Sequence, residues 1–278
     1  MKLGIHIPQI GRKAGPEAVR RGARQAEDLG YDNIWVNDHL AIPHDAPYPP
    51  SKSFYEPLIT LTWAAAATSR VELGTSVLVL PLRIPAHLAK ELATLDLLSD
   101  GRLILGAGVG WMEAEFDAMG VPFHDRGART DDIINILRAC WGEDPISYRP
   151  TTVTAALDGI RALPQPERKI PIWVGGNSKP ALRRAKALGD GWHGTRVPID
   201  QIDPIVKDLR AARGKDFVVS MRLFWDPLED DQNALKEMAD GYATSGVDAL
   251  ILEPRQRALD DWLLAVEKLW NLLQPWHG

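Results

Sequence analysis

The sequence predicts a closed (β/α)8 barrel, and three observations lead there. Apolar, β-branched runs alternate with amphipathic helical stretches from one end of the chain to the other. The alternation completes eight strand–helix pairs, and 278 residues suit one such barrel. A doubly wound open sheet is the competing arrangement. It is disfavoured because the strands are short. In addition, the first strand runs into Pro8-Gln9-Ile10-Gly11, where a dinucleotide-binding sheet would carry its glycine fingerprint.

The elements follow in order. Residues 3–7 read as a strand and 17–29 as a helix, with Ala18, Val19, Ala23, Ala26 and Leu29 on its inward face. Residues 34–36 form the second strand, and 57–68 an alanine-rich helix. The third strand begins at 71–74 and is followed by a helix over 86–98. The fourth covers 103–105, with a long helix over 131–141. Residues 143–168 hold Pro145, Pro150, Pro164 and Pro166 and read as an extended insertion between the fourth helix and the fifth strand, not as a domain linker. The fifth strand, 172–174, leads into a helix with Pro180 in its first turn. Residues 191–193 and 217–223 are the sixth and seventh strands, with helices over 202–212 and near 233–244. The eighth covers 247–252, and a helix over 259–273 closes the chain. Residues 1–278 thus read as one domain.

Composition narrows the function. The chain is 45% hydrophobic and 25% charged, with a net charge of −5 and a pI near 5.8, which argues against nucleic-acid and polybasic membrane contacts. No apolar stretch approaches the about 20 residues needed to cross a bilayer, and MKLGIHIPQIG reads as a strand, not a signal peptide. A single cysteine, Cys140, rules out a disulfide framework and a cysteine-rich metal site and suggests a reducing, cytoplasmic setting. The histidines include no His-x-His pair on the first strand and no HExxH, so no metal site is expected. Ten tryptophans serve packing, and some are expected to line a pocket for a planar ligand.

In such a barrel, chemistry sits at the C-terminal ends of the strands. The most informative junction is Gly175-Gly176-Asn177-Ser178. Two glycines there let the backbone approach a ligand, and the helix start beyond them suits a phosphate; a tight loop capped by Ser178 explains the same residues. After the second strand, His39 stands beside Asp38, a carboxylate placed to fix its tautomer for acid–base work; a structural histidine bonded to a loop carbonyl is the alternative. After the fourth strand, Gly106, Gly108 and Gly110 alternate, which suits a flat ligand or a crowded turn.

The segments VNDHL, LGTSVLVLPLRIP, LILGAGVGWMEAEF, GVPFHDRGARTDD and IWVGGNSKPALRRAKALGDGW resemble the luciferase-like monooxygenase superfamily, in particular its actinobacterial branch that uses the deazaflavin coenzyme F-420. The resemblance runs from about Leu3 to Thr195. It implies a non-prolyl cis peptide at Ser76-Val77 supporting the deazaflavin ring, with Gly108, Val109 and Gly110 against that ring. It also implies a phosphate held by Gly175, Gly176, Asn177 and Thr195, and His39 with Asp38 near the hydride-transferring carbon. Two departures stand out. Trp111 replaces the proton-donating glutamate of the related sugar and alcohol dehydrogenases, and His44 replaces a tryptophan. Helical spacing is expected to turn Glu113 and Glu115 away from the site. Trp111, Met112 and Trp35 suggest a small, hydrophobic organic substrate.

Three functions are therefore expected in order: an F-420-dependent oxidoreductase, an FMN-dependent monooxygenase using oxygen, and a non-catalytic deazaflavin- or flavin-binding protein. A homodimer is expected through the helical stretches 61–67 and 88–98, though a buried core face predicts the same pattern.

Overall fold

A computed structural model describes residues 1–278. Nine strands lie in one parallel sheet that closes on itself. They are β1 (Lys2–His6), β2 (Asn33–Val36), β3 (Glu72–Thr75), β4 (Leu78–Val79), β5 (Leu103–Gly108), β6 (Ile172–Gly175), β7 (Gly191–Thr195), β8 (Val218–Phe224) and β9 (Ala249–Glu253). The principal helices are α1 (Pro16–Leu29), α2 (Pro57–Ala65), α3 (Pro85–Leu98), α4 (Glu113–Met119), α5 (Arg126–Gly142), α6 (Lys179–Leu188), α7 (Ile199–Arg213), α8 (Gln232–Thr244) and α9 (Leu259–Leu273). The predicted (β/α)8 barrel is the observed fold. The ninth strand arises because β3 and β4 are two halves of the third barrel strand.

The break between them is a bulge. Gly74 stands opposite Ile104 and Leu78 opposite Ala107, so the third strand advances one residue further than its partner over the same span. Thr75 bridges the gap: its Oγ1 donates to the Gly106 carbonyl and accepts from the Gly106 amide. The Ser76-Val77 peptide is cis.

Large rings fill the lower barrel. Trp35, Ile104, Trp173, Ala249 and Ile251 form a buried cluster of their own, and the glycines beside it leave room for the indoles. A Cβ on Gly74 would lie 2.3 Å from the Trp35 ring, and one on Gly191 would lie 2.7 Å from the Trp173 ring. Between barrel and helices runs the main core, built from the inward faces of every principal helix except the short α4. In the two stretches expected to mediate dimerisation, Leu61 and Ala64 of α2 and Leu88 and Leu92 of α3 belong to this core, while Trp63 and Leu98 are exposed.

Two helical expectations needed correction. Helix α5 begins at Arg126, ahead of the expected start at 131. Helix α4 had no place among the expected elements, although helical spacing was expected for Glu113 and Glu115: it has only seven residues, EAEFDAM, with no repeating apolar stripe to mark its bounds. Residues 143–168 contain no strand or helix. Coming between a helix and the next strand, they lie at the N-terminal face of the barrel, away from the catalytic end. Asp132 ties them down, accepting from the Tyr148 hydroxyl (2.6 Å) and from the amides of Thr151 and Thr152. No helix is long and apolar enough to cross a membrane.

Candidate active site

The strand ends and their loops enclose a cavity of about 970 Å³, large enough for a cofactor with a substrate. His39 follows β2 on its wall. Its partner is not Asp38. The Asp38 carboxylate points the other way, accepting from the Val79 amide and the Arg83 guanidinium, each at 2.8 Å, while Arg83 also reaches Glu56 at 2.7 Å. Burial pushes the Asp38 carboxyl up, against the pull of Arg83. Adjacent residues leaving a strand project to opposite sides, so Asp38 anchors the bulge strand and leaves His39 to another group.

That group is Glu115. Its Oε2 lies 2.9 Å from His39 Nδ1, and its Oε1 accepts from the amides of Leu40 (2.8 Å) and Ala41 (3.3 Å). Helix α4 turns Glu115 inward beside Phe116 and leaves Glu113 exposed, which corrects the expectation that both carboxylates face away. With Nδ1 tied to a carboxylate, the proton sits on Nδ1, and Nε2, which has no protein partner, is the atom free to exchange a proton. Phe54 and Trp111 pack edge-on to the imidazole at 5.0 and 5.8 Å.

The floor is formed by the bulge. Ser76 and Val77 line the cavity. The Ser76 hydroxyl bonds His193 Nε2 at 2.8 Å, and its carbonyl accepts from Arg222 Nη1 at 2.8 Å. His193 also bonds the Ser220 hydroxyl and stacks flat on Trp35. Burial, reinforced by the charge of Arg222 and by His6, holds its pKa well below the ordinary histidine value. Glu253 grips Arg222 and accepts from Asn37.

The glycine runs have a physical cause that their sequence did not show. A Cβ on Gly108 would meet Val77 Cγ2 at 2.2 Å, and one on Gly175 would meet Val77 Cγ1 at 2.5 Å. These two glycines make room for the Val77 side chain, not directly for a flat ligand. Gly108, Val109 and Gly175 lie outside the cavity lining, which takes only Gly110 from the run. Gly110 sits at φ +78°, where glycine is favoured.

Gly176 is different. It sits at φ +105°, it is exposed, and the amides of Asn177 and Ser178 beyond it make no hydrogen bond within the protein. Ser178 caps α6 by accepting from the Ala181 amide at 3.3 Å. The Asn177 side chain is already engaged: it donates to the Thr195 carbonyl (2.7 Å) and accepts from the Thr195 amide (3.1 Å). Asn177 and Thr195 thus meet as expected, but as a latch between β6 and β7. What remains for an anion is the backbone of the helix start; Gly176, Asn177, Ser178 and Thr195 lie outside the cavity lining, which on this side includes Arg196.

Trp35 and Met112 are buried and do not line the cavity; Trp111 does, and it is 57% exposed. The lining also carries Arg12, Lys13, Arg196, Arg222, Arg255 and Arg257, charges that the expectation of a small, hydrophobic organic substrate did not include. Sequence reading missed these cations and Glu115 because they come from different strand ends and loops. The one signal was Arg222, a charge in the otherwise apolar run of β8.

Fold and cavity are those of a barrel enzyme. The chain belongs to the luciferase-like monooxygenase family, whose model matches residues 1–266. An uncharacterised protein of Mycobacterium tuberculosis is 35% identical over 208 residues, covering 69% of this chain and 71% of that protein. An F-420-dependent glucose-6-phosphate dehydrogenase of Kineococcus radiotolerans is 32% identical over 248 residues, covering 82% of this chain and 71% of the relative. Among solved structures, an F-420-dependent secondary alcohol dehydrogenase in complex with an F-420–acetone adduct superposes with a TM-score of 0.81 at 17% identity, covering 98% of both chains.

Proposed function

We propose that the protein transfers a hydride between coenzyme F-420 and an organic substrate, with His39 as the acid–base group. The observation that carries this reading is the His39–Glu115 pair on the cavity wall. F-420-dependent relatives such as that of Kineococcus radiotolerans support the choice of coenzyme. The residues present suit the group. Gly176 and the free amides of Asn177 and Ser178 offer a backbone cradle for its phosphate, and the bulge at Ser76 and Val77 offers a wall for its ring. When bound, the deazaflavin supplies the carbon that accepts or donates the hydride.

The chain's own residues do the rest. Glu115 fixes the imidazole tautomer and orientation and stabilises the imidazolium that forms when Nε2 takes a proton from a substrate hydroxyl. In the reverse direction Nε2 returns that proton to the substrate oxygen. Phe54 and Trp111 set an apolar surface edge-on to the imidazole.

His39→Ala is expected to lower turnover by roughly 10²–10⁴-fold while leaving F-420 affinity, measured by equilibrium binding, nearly unchanged. Unaltered turnover would remove His39 from the chemistry. A collapse of coenzyme affinity would make it a binding prop.

The family description favours a second reading, FMN-dependent oxygenation in the same cavity. The backbone cradle serves either phosphate. Side-by-side equilibrium binding of F-420 and FMN, with oxygen uptake measured on the reduced form of whichever binds, separates the two.

A further inference from the structure

The cavity bears a charge opposite to the chain's. Six of its lining side chains are cationic and only Asp38, Glu115 and Glu253 are acidic, in a protein of net charge −5. All three carboxylates are already engaged, by Arg83, by His39 and by Arg222. The excess positive charge therefore faces the ligand space uncompensated.

It is focused at one place. The guanidinium carbons of Arg222, Arg196 and Arg255 lie 4.7, 4.9 and 5.8 Å from the centre of the Phe224 ring. Glu253 neutralises Arg222, but Arg196 and Arg255 make no ion pair and no side-chain hydrogen bond. Both are exposed, and a phenyl face attracts such cations only weakly, which leaves their guanidinium donors available to an anionic ligand. Guanidinium forks match the planar oxygens of a carboxylate or phosphate.

Elsewhere the same cavity is aromatic. Phe54 and Trp111 pack on His39, and Tyr48 packs on Trp111 with ring centres 5.9 Å apart. These rings offer an apolar surface next to the proton-exchanging Nε2. We propose that the substrate is an amphipathic organic anion, its acidic end held by Arg196 and Arg255 and its apolar, oxidisable or reducible end set against Trp111 and His39. This rests on the hydride-transfer reading of the site and names the substrate class for it. The shared chemistry, a carboxylate on the arginines, has a second source in acidic groups of the coenzyme itself.

The test is calorimetric titration of 4-phenylbutyrate and its uncharged counterpart 4-phenylbutan-1-ol, with and without saturating F-420. Both are titrated into the wild-type protein and an Arg196→Gln/Arg255→Gln double variant whose unfolding temperature is checked first. The acid should bind the wild type about tenfold or more tightly than the alcohol, and the double variant should lose that preference while keeping its F-420 affinity. Equal binding of acid and alcohol, or binding of neither, overturns the proposal. Loss of F-420 affinity in the double variant overturns it too, since the arginines would then serve the coenzyme. Glucose 6-phosphate, an anion without an apolar body, should bind more weakly than phenylbutyrate; equal or tighter binding refutes the amphipathic assignment. If the wild type binds no F-420 yet still prefers the acid, the coenzyme reading fails and the arginine site stands.

Discussion

Glu115 Oε2 stands 2.9 Å from His39 Nδ1, joining a short helix beyond the fourth barrel strand to the loop beyond the second. The carboxylate also takes two loop amides, so it holds the histidine and the backbone that carries it. It is a positioning residue whose effect reaches the substrate through His39.

Glu115→Gln should therefore lower turnover by roughly tenfold or more, because a neutral amide stabilises the imidazolium less and can impose the wrong tautomer. The sign of a positioning role is rescue by the conservative variant: Glu115→Asp should recover part of the turnover that Glu115→Gln loses, with F-420 affinity unchanged in both. Equal loss in the two variants would make Glu115 a structural prop alone.

Val77 occupies the space that two glycines leave for it. Gly108→Ala places a methyl 2.2 Å from Val77 Cγ2 and should cost about 1–3 kcal/mol of stability, read from urea unfolding. Much of that loss should return in the Gly108→Ala/Val77→Ala double variant. Gly106→Ala offers the contrast. Its Cβ would meet the Thr75 carbonyl oxygen at 1.8 Å, and no side-chain trimming relieves a backbone clash.

Gly176→Val should weaken coenzyme binding strongly. The residue sits at φ +105°, where a β-branched side chain is strained, and its Cβ would meet Ala181 of α6 at 3.3 Å, so the turn that presents the free amides of Asn177 and Ser178 should shift. Equilibrium titration with F-420 and FMN reads the effect. Unchanged affinity for both would move the phosphate elsewhere.

Acid should destabilise the fold starting near neutrality. Burial, aided by Arg222, holds both His6 and His193 well below the ordinary value of 6.5, so the native state keeps them neutral while the unfolded chain takes up protons. Their contribution is fully present above the unfolded pKa and is lost as pH falls from about 6.5 toward the depressed native values. The fold should therefore be less stable at pH 5.5 than at pH 7.5. Urea midpoints at the two pH values measure this, and His193→Gln should reduce the difference. An equal midpoint at both pH values would mean that these histidines are charged in the native state.

The barrel was legible because its causes are local. Apolar alternation in strands, helical periodicity and the regular spacing of the two act over a dozen residues at a time, and only one closed fold accommodates eight such pairs in this length. The strand-to-helix turn at Gly176 was legible for the same reason: the glycine and the start of α6 lie side by side in sequence. Helix α4 was not legible as an element, because its seven residues, three of them acidic, carry no repeating apolar period.

What sequence alone could not decide is which side chains meet. His39 has an acidic neighbour in Asp38, but the geometry of the strand end sends that carboxylate to Arg83 and Val79. Barrel closure brings Glu115, 76 positions away, to the histidine instead. The spacing of Gly108 and Gly175 was visible, yet its reason is the volume of Val77, which reaches them from a bulge in another strand. Arg196, Arg222 and Arg255 come from three separate stretches and meet only around Phe224. Each of these contacts depends on distances across the barrel mouth, and those are fixed by strand order, register and closure, which no local run of residues encodes.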